Sequence, residues 1–178
     1  MAWSAPMTFV ANTALTAAQL NQYLRDNMLE TAPAKATTAG YHFVTTGPNS
    51  IAERAIEGDW IATGETTSET SYTDLNTLGP SVTCVTGTKA IYIMSARMSH
   101  SEGGSLRASI EISGASSIEA GDARELTLHI GHKHQNKVGT TYFETGLTPG
   151  TNTFTMKYRV QDEGIGTFAE RHLIVIAL

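Results

Sequence analysis

Leu106-Arg107-Ala108-Ser109-Ile110-Glu111-Ile112-Ser113 alternates apolar and polar side chains without a slip. A period of two sends every second side chain to the same side, so the stretch reads as a strand with one face on a core and one in water. The pattern recurs downstream. Leu126, Leu128 and Ile130 alternate with Glu125, Thr127 and His129, and Phe154, Met156, Tyr158 and Val160 alternate with Thr153, Thr155, Lys157 and Arg159. The last series follows Thr148-Pro149-Gly150-Thr151, a turn signal, and Glu102-Gly103-Gly104-Ser105 reads as a hairpin loop. No helical period is sustained beyond Trp60. Short strands with closely spaced turns predict a mainly β chain whose body is a jelly-roll-like antiparallel β-sandwich.

Two strands depart from the alternation. Ala90-Ile91-Tyr92-Ile93-Met94 and Leu173-Ile174-Val175-Ile176-Ala177-Leu178 are apolar on both sides. A sandwich strand normally keeps one solvated face, so these two need a second cover, from the N-terminal helix, the chain's own loops or a neighbouring subunit. The closing strand suits the centre of an oligomer, which makes Ile174, Ile176 and Leu178 the candidate interface and a homotrimer the expected assembly.

The first fifteen residues carry Trp3, Met7, Phe9, Val10 and Leu15 with no sustained period, as an extended arm would. Such side chains need cover, from their own domain or from a partner. Thr16-Ala17-Ala18-Gln19 then has the form of a capping box, and Leu20, Tyr23, Leu24 and Met28 make one apolar stripe. A short helix is predicted from Ala17 to Glu30, stopping before Pro33. It is marginal alone, so its stripe must dock on the β domain, on its own copy or on another protein. Ala32 to Gly40 reads as a linker, and Gly47-Pro48-Asn49-Ser50 as a turn between two short strands. The expected division is an anchoring arm and helix over 1–40 and a β-sandwich domain over 41–178.

The 178 residues include only 16% charged side chains and carry a formal net charge of -5, without the clustered Lys and Arg that a phosphate backbone requires. Nucleic acid is not an expected partner. No apolar run is long enough to cross a membrane as a helix, and the N-terminus lacks a secretory pattern, so membrane insertion is not expected. The single cysteine, Cys84, lies in the alternating Ser81-Val82-Thr83-Cys84-Val85 and reads as a small buried hydrophobe.

The search for chemistry yields little. His129, His132 and His134 fall within six residues, but Lys133 sits among them and no acidic or thiol ligand has metal spacing, so exposed loop histidines and no metal are expected, the alternative being a metal shared around a symmetry axis. Neither a Gly-x-Ser-x-Gly elbow nor a Cys/His signature is present. Asp74, Glu111, Asp122, Glu125 and Asp162 offer carboxylates without a spacing that selects a pair. No cofactor and no enzymatic activity are expected. Trp60, Tyr72, Tyr142 and Phe143 are the aromatics that could stack on a sugar, and a host-surface glycan is the alternative partner.

Ala2-Trp3-Ser4-Ala5-Pro6-Met7-Thr8-Phe9-Val10, with Leu15-Thr16-Ala17-Ala18-Gln19-Leu20-Asn21, Leu24-Arg25-Asp26-Asn27 and Ile51-Ala52-Glu53-Arg54-Ala55-Ile56, resembles the N-terminal segment of small virion proteins of tailed phages that infect actinobacteria. These are of the minor tail or head-decoration kind. The resemblance implies an attachment segment carrying a variable β head on the particle surface, commonly multimeric and without catalysis. By position, Trp3, Pro6 and Phe9 of the arm and Leu20, Leu24, Arg25 and Asn27 of the helix are the attachment candidates. Capsid or tail proteins are then the partners, and the virion, assembled in host cytoplasm, is the location.

Overall fold

A computed structural model describes residues 4–5, 7–132 and 134–178 of the chain. Trp3 and Pro6 lie outside the described residues. The chain divides into two compact units, Met1–Arg54 and Ala55–Leu178. The division falls after Arg54 and not at residue 40, because strands β1 (His42–Gly47) and β2 (Ser50–Arg54) pair only with each other and join neither sheet of the sandwich.

In the first unit the capping box forms as its sequence requires. Thr16 Oγ1 accepts from the Gln19 amide at 3.2 Å, and Gln19 Oε1 accepts from the Thr16 amide at 2.9 Å. The helix begins as α1 (Ala17–Leu20), widens into a π-helical stretch (Asn21–Asp26) and closes as α2 (Asn27–Leu29). A further turn, α3 (Ala32–Lys35), corrects the linker reading: Pro33 sits in its first turn, where a proline's missing N–H costs nothing. The expected strand pair around residues 47–50 forms, with Asn49 in the left-handed region at φ 54° in the turn.

The second unit is an antiparallel sandwich. One sheet has the order β5-β10-β7-β8, from Ser81–Thr86, Gly150–Val160, Gly104–Gly114 and Leu126–Ile130. The other has the order β3-β11-β6-β9, from Ile56–Ile61, Gly166–Ala177, Lys89–His100 and Gln135–Thr145, with β4 (Glu65–Thr67) also paired to β11. Consecutive strands mostly cross from sheet to sheet, the winding of a jelly roll. Residues 102–105 therefore form no hairpin: β6 and β7 belong to different sheets, and the glycines let the chain cross over, Gly103 at φ 84°.

The alternating series fill the core. Leu106, Ala108, Ile110 and Ile112 of β7 face Tyr92, Met94 and Met98 of β6, while Phe154, Met156, Tyr158 and Val160 of β10 complete the layer with Leu173 and Val175 of β11. Each of these side chains is essentially sealed from solvent. Cys84 is buried among them, and burial pushes its thiol pKa up to about 11, which leaves it an inert hydrophobe.

The doubly apolar strands obey the same rule with one side only. Ala90, Tyr92 and Met94 point inward, while Ile93 is 38% exposed; Leu173, Val175 and Ala177 are buried, while Ile174 is 41% exposed. Within the second unit, no described residue supplies Ile93 and Ile174 with the full second cover those strands were expected to have.

Candidate functional site

In the first unit most attachment candidates stand uncovered. Phe9 is 66% exposed, and Leu20 and Leu24 of the helix are exposed with Val10 and Met28. Arg25 projects into solvent beside Asp26, its Nε donating at 2.7 Å. Asn27 differs: it is buried, its Oδ1 accepts from the Ser4 amide at 2.9 Å, and its Nδ2 donates to the Ser4 carbonyl at 3.2 Å. Its role within the chain is to tie the arm to the helix.

In the second unit the two sheets present unlike outer faces. On the five-stranded sheet the register lines side chains into rows across four strands. Ile56, Ile176, Ile91 and Phe143 form one row, Gly58, Ile174, Ile93 and Thr141 the next, and Trp60, His172, Ser95 and Gly139 a third. Trp60 is 58% exposed and Phe143 57%, and the Trp60 ring stacks on His172 with centroids 5.5 Å apart. Beyond the third row the face turns charged: Glu170 pairs with Arg97 at 3.5 Å and with Lys137 at 3.4 Å. Ile174 and Ile176, chosen from sequence, lie in the middle of this face. Leu178 is half-buried at its end, its carbonyl accepting from the Gly87 amide and its own amide donating to Lys89.

A bulge in β11 decides which side of that strand faces out. Between Ala169 and His172 the register with β6 shifts, and Glu170 adopts φ 46°. Counting in twos from the buried Phe168 would send Glu170, His172 and Ile174 inward. The extra residue reverses the phase, so Arg171 and Leu173 are inside instead. Arg171 is completely buried, paired with Glu65 at 3.0 Å, donating to the Gly79 carbonyl at 3.3 Å and lying 5.4 Å from the Tyr158 ring centroid. Sequence reading missed it, since nothing local distinguishes a buried arginine from a solvated one.

The outer face of the other sheet holds a polar cleft of about 540 Å³ lined by Tyr72, Glu111, Glu119, Asp122, Lys157 and Arg159, with Thr70, Ser71, Ala120 and Gly121. Lys157 and Arg159 rise from β10 at successive outward positions and are nearly covered. Lys157 Nζ pairs with Asp74 at 2.7 Å and Glu111 at 3.6 Å, and Arg159 donates to both oxygens of Asp122 at 2.9 Å. Tyr72 donates to Asp122 at 3.0 Å, and the Arg159 guanidinium lies 5.1 Å from its ring centroid. Arg107 pairs with Asp122 and Glu125 and also bonds Gln161. The loop after β7 closes over this face. Ser109, expected in solvent, is buried and bonds the Gly121 carbonyl at 2.8 Å.

Four of the five candidate carboxylates thus converge here, each committed to a cation. Hydrogen bonds from Arg159 and then Tyr72 hold Asp122 below the usual carboxylate range, the reverse of the raised pKa a general acid needs. Asp162 lies apart, accepting from the Ser105 amide at 2.8 Å. Of the aromatics, Trp60 and Phe143 belong to the apolar face, Tyr142 stacks on Tyr92 with centroids 5.7 Å apart, and Tyr72 alone enters the cleft. His129 is exposed with its ring 3.0 Å from Ser105 Oγ, and His132 and His134 are exposed. Among the described residues no group of three or more His, Cys, Asp or Glu is placed to hold a metal ion, and no helix is long and apolar enough to cross a membrane.

No protein-family model matches the sequence, and no curated protein is significantly similar to it. Among solved structures the chain is similar to one titled structure of infectious bursal disease virus Gx strain, at 12% identity and TM-score 0.49, over 75% of this chain and 36% of that one. It thus spans about a third of the viral chain's length. It is also similar to the Eiger TNF from S. frugiperda, at 7% identity and TM-score 0.41, over 69% and 92% of the two chains. A third is the C-terminal CBM6 of LamC from Zobellia galactanivorans, at 12% identity and TM-score 0.32, over 80% and 94%. The fold assignment rests on the strand order and winding described above.

Proposed function

We propose that this protein is a structural component of a tailed-phage virion, displayed on the particle surface as a minor tail or capsid decoration protein and anchored by its N-terminal segment. The observation that carries the reading is the uncovered apolar surface of the first unit: Phe9, Val10, Leu20, Leu24 and Met28 are 42–68% exposed on a segment otherwise held together by a capping box and by Asn27. Each such side chain gains roughly 1.5–3 kcal/mol from full burial, so a capsid or tail surface that covers them supplies strong attachment. The resemblance of residues 2–27 and 51–56 to phage virion proteins supports the same assignment. Deleting residues 1–15 should abolish incorporation into particles while the sandwich stays folded by circular dichroism. Normal incorporation of the truncated chain would sink the reading.

The polar cleft favours a second reading, a module that binds a glycan of the host envelope. Its volume lies in the range of small-molecule sites, and its planar carboxylate and guanidinium groups are held in fixed orientations around a tyrosine. Binding on a glycan array that disappears in Tyr72→Ala would support it. An array silent at high protein concentration would remove it.

A further inference from the structure

The outer face of the five-stranded sheet leaves Ile56, Trp60, Ile93, Phe143 and Ile174 exposed among the described residues of the second unit, and has no role in the attachment reading. Its first row is apolar from edge to edge: Ile56, Ile176, Ile91 and Phe143 lie side by side on four adjacent strands. Ile174 and Ile93 continue it in the second row, and Trp60 in the third. Isolated exposed apolar residues are ordinary, but a contiguous block on regular strands is not.

We infer that this face is a homotypic interface, packing against the same face of other copies of the chain to form a symmetric homo-oligomer. Size is the first argument. Four strands about 4.8 Å apart and three rows about 6.8 Å apart make a block of about 400 Å². A stable interface buries about 800 Å² per partner, of which somewhat more than half is apolar. The block therefore spans about half of the contact one partner would make, with large apolar side chains at seven of its twelve positions, and the adjoining Lys89, Arg97, Lys137 and Glu170 supply a polar rim.

Chemistry points to a second copy over a dissimilar partner. Within the three rows only Thr141, Ser95, His172 and the Trp60 indole carry side-chain hydrogen-bonding groups, so the face offers few directional keys by which an unrelated surface would be selected. Rows of β-branched side chains on a pleated surface do fit an identical surface, by the sheet-on-sheet interdigitation that already builds this protein's own core. The rim carries both signs in one cluster, with Glu170 between Arg97 and Lys137, so a symmetric partner can set acid against base. The inference concerns the free protein and does not depend on where it is used.

Sedimentation velocity of the full chain over a concentration series tests it. The wild type should sediment as a dimer or trimer. Ile93→Thr with Ile174→Thr keeps β-branched residues in both strands, and should raise the dissociation constant roughly a hundredfold or more while circular dichroism stays unchanged. Should that double variant fail to fold, Ser95→Arg leaves every isoleucine in place and sets a long cation on the face, and should give a folded monomer. A monomeric wild type at about 100 µM would overturn the inference, as would a Ser95→Arg or double variant that assembles as tightly as the parent.

Discussion

The outer faces of the two sheets are built by the same alternation and end in opposite states. On β7 and β10 the outward positions Arg107, Glu111, Lys157 and Arg159 are half-buried and ion-paired, and Ser109 is buried under the loop that runs through Asp122. On β6 and β11 they are Ile91, Ile93, Ile174 and Ile176, and no described loop of this unit roofs Ile93 or Ile174. One buried face per sheet is enough to hold a sandwich together. The polar face therefore adds stability by internal pairing, whereas much of the apolar face stays in water in the isolated chain and would gain from burial by another surface.

The contrast makes predictions that differ in kind on the two sides. The largest effect should come from the charge beneath the apolar face. Arg171→Met leaves the Glu65 carboxylate in the interior without its cation, held only by hydrogen bonds from Thr77, and should lower unfolding free energy by about 3–5 kcal/mol in urea titration. A loss below about 1 kcal/mol would mean the buried pair is dispensable to the sandwich. On the polar face, Lys157→Met removes the shared partner of Asp74 and Glu111 and should cost about 1–3 kcal/mol while leaving sedimentation untouched. A change in assembly with that variant would erase the division of labour between the faces. Arg159→Lys loses the two-point contact to Asp122 and the packing on Tyr72, and should cost about 0.5–1 kcal/mol by thermal melt.

The smallest effect should be a pH dependence of assembly through His172. Burial, then the positive charge of Lys137, hold its pKa below the ordinary 6.5, with Glu170 opposing them. Trp60 from β3 stacks on it, Ser95 of β6 lies opposite it, and Arg97 of β6 pairs with the same Glu170. A depressed value keeps the ring neutral at pH 7, so association should be fully present above pH 6.5 and fall as acid takes the pH down through that lowered value. About a twofold weakening between pH 7.5 and 5.5 is expected in sedimentation, and His172→Gln should flatten it.

Much of the fold was legible because its signals are local. Thr16 and Gln19 mark a helix start by their own side chains, and a proline-glycine turn followed by four apolar side chains at alternate positions leaves β10 little choice. The crossover at residues 102–105 was less readable, since a glycine-rich loop looks alike whether its strands pair or part. β4 lay hidden in a Thr/Ser-rich stretch, having only three residues and a partner a hundred positions away, Gly166–Phe168 of β11. Ser109 was placed in solvent because its period says so, and only the loop folded back over it decides otherwise. Ile174 and Ile176 stand out in the sequence by an excess of apolar neighbours, and the structure places them on the outer face of β11. The cleft does not stand out, because Tyr72, Asp122 and Arg159 come from three distant segments and share no spacing.

Sequence by itself determined that this chain is a strand-rich sandwich behind a capped helix, because side-chain alternation and caps act over a few neighbouring residues. It also determined that β6 and β11 have more apolar surface than one core can take. Which of their faces goes inside was settled only in the tertiary structure, where both choices bury hydrocarbon and local pattern is silent. A single extra residue at Glu170 breaks the tie, since one step along a strand turns every later side chain over.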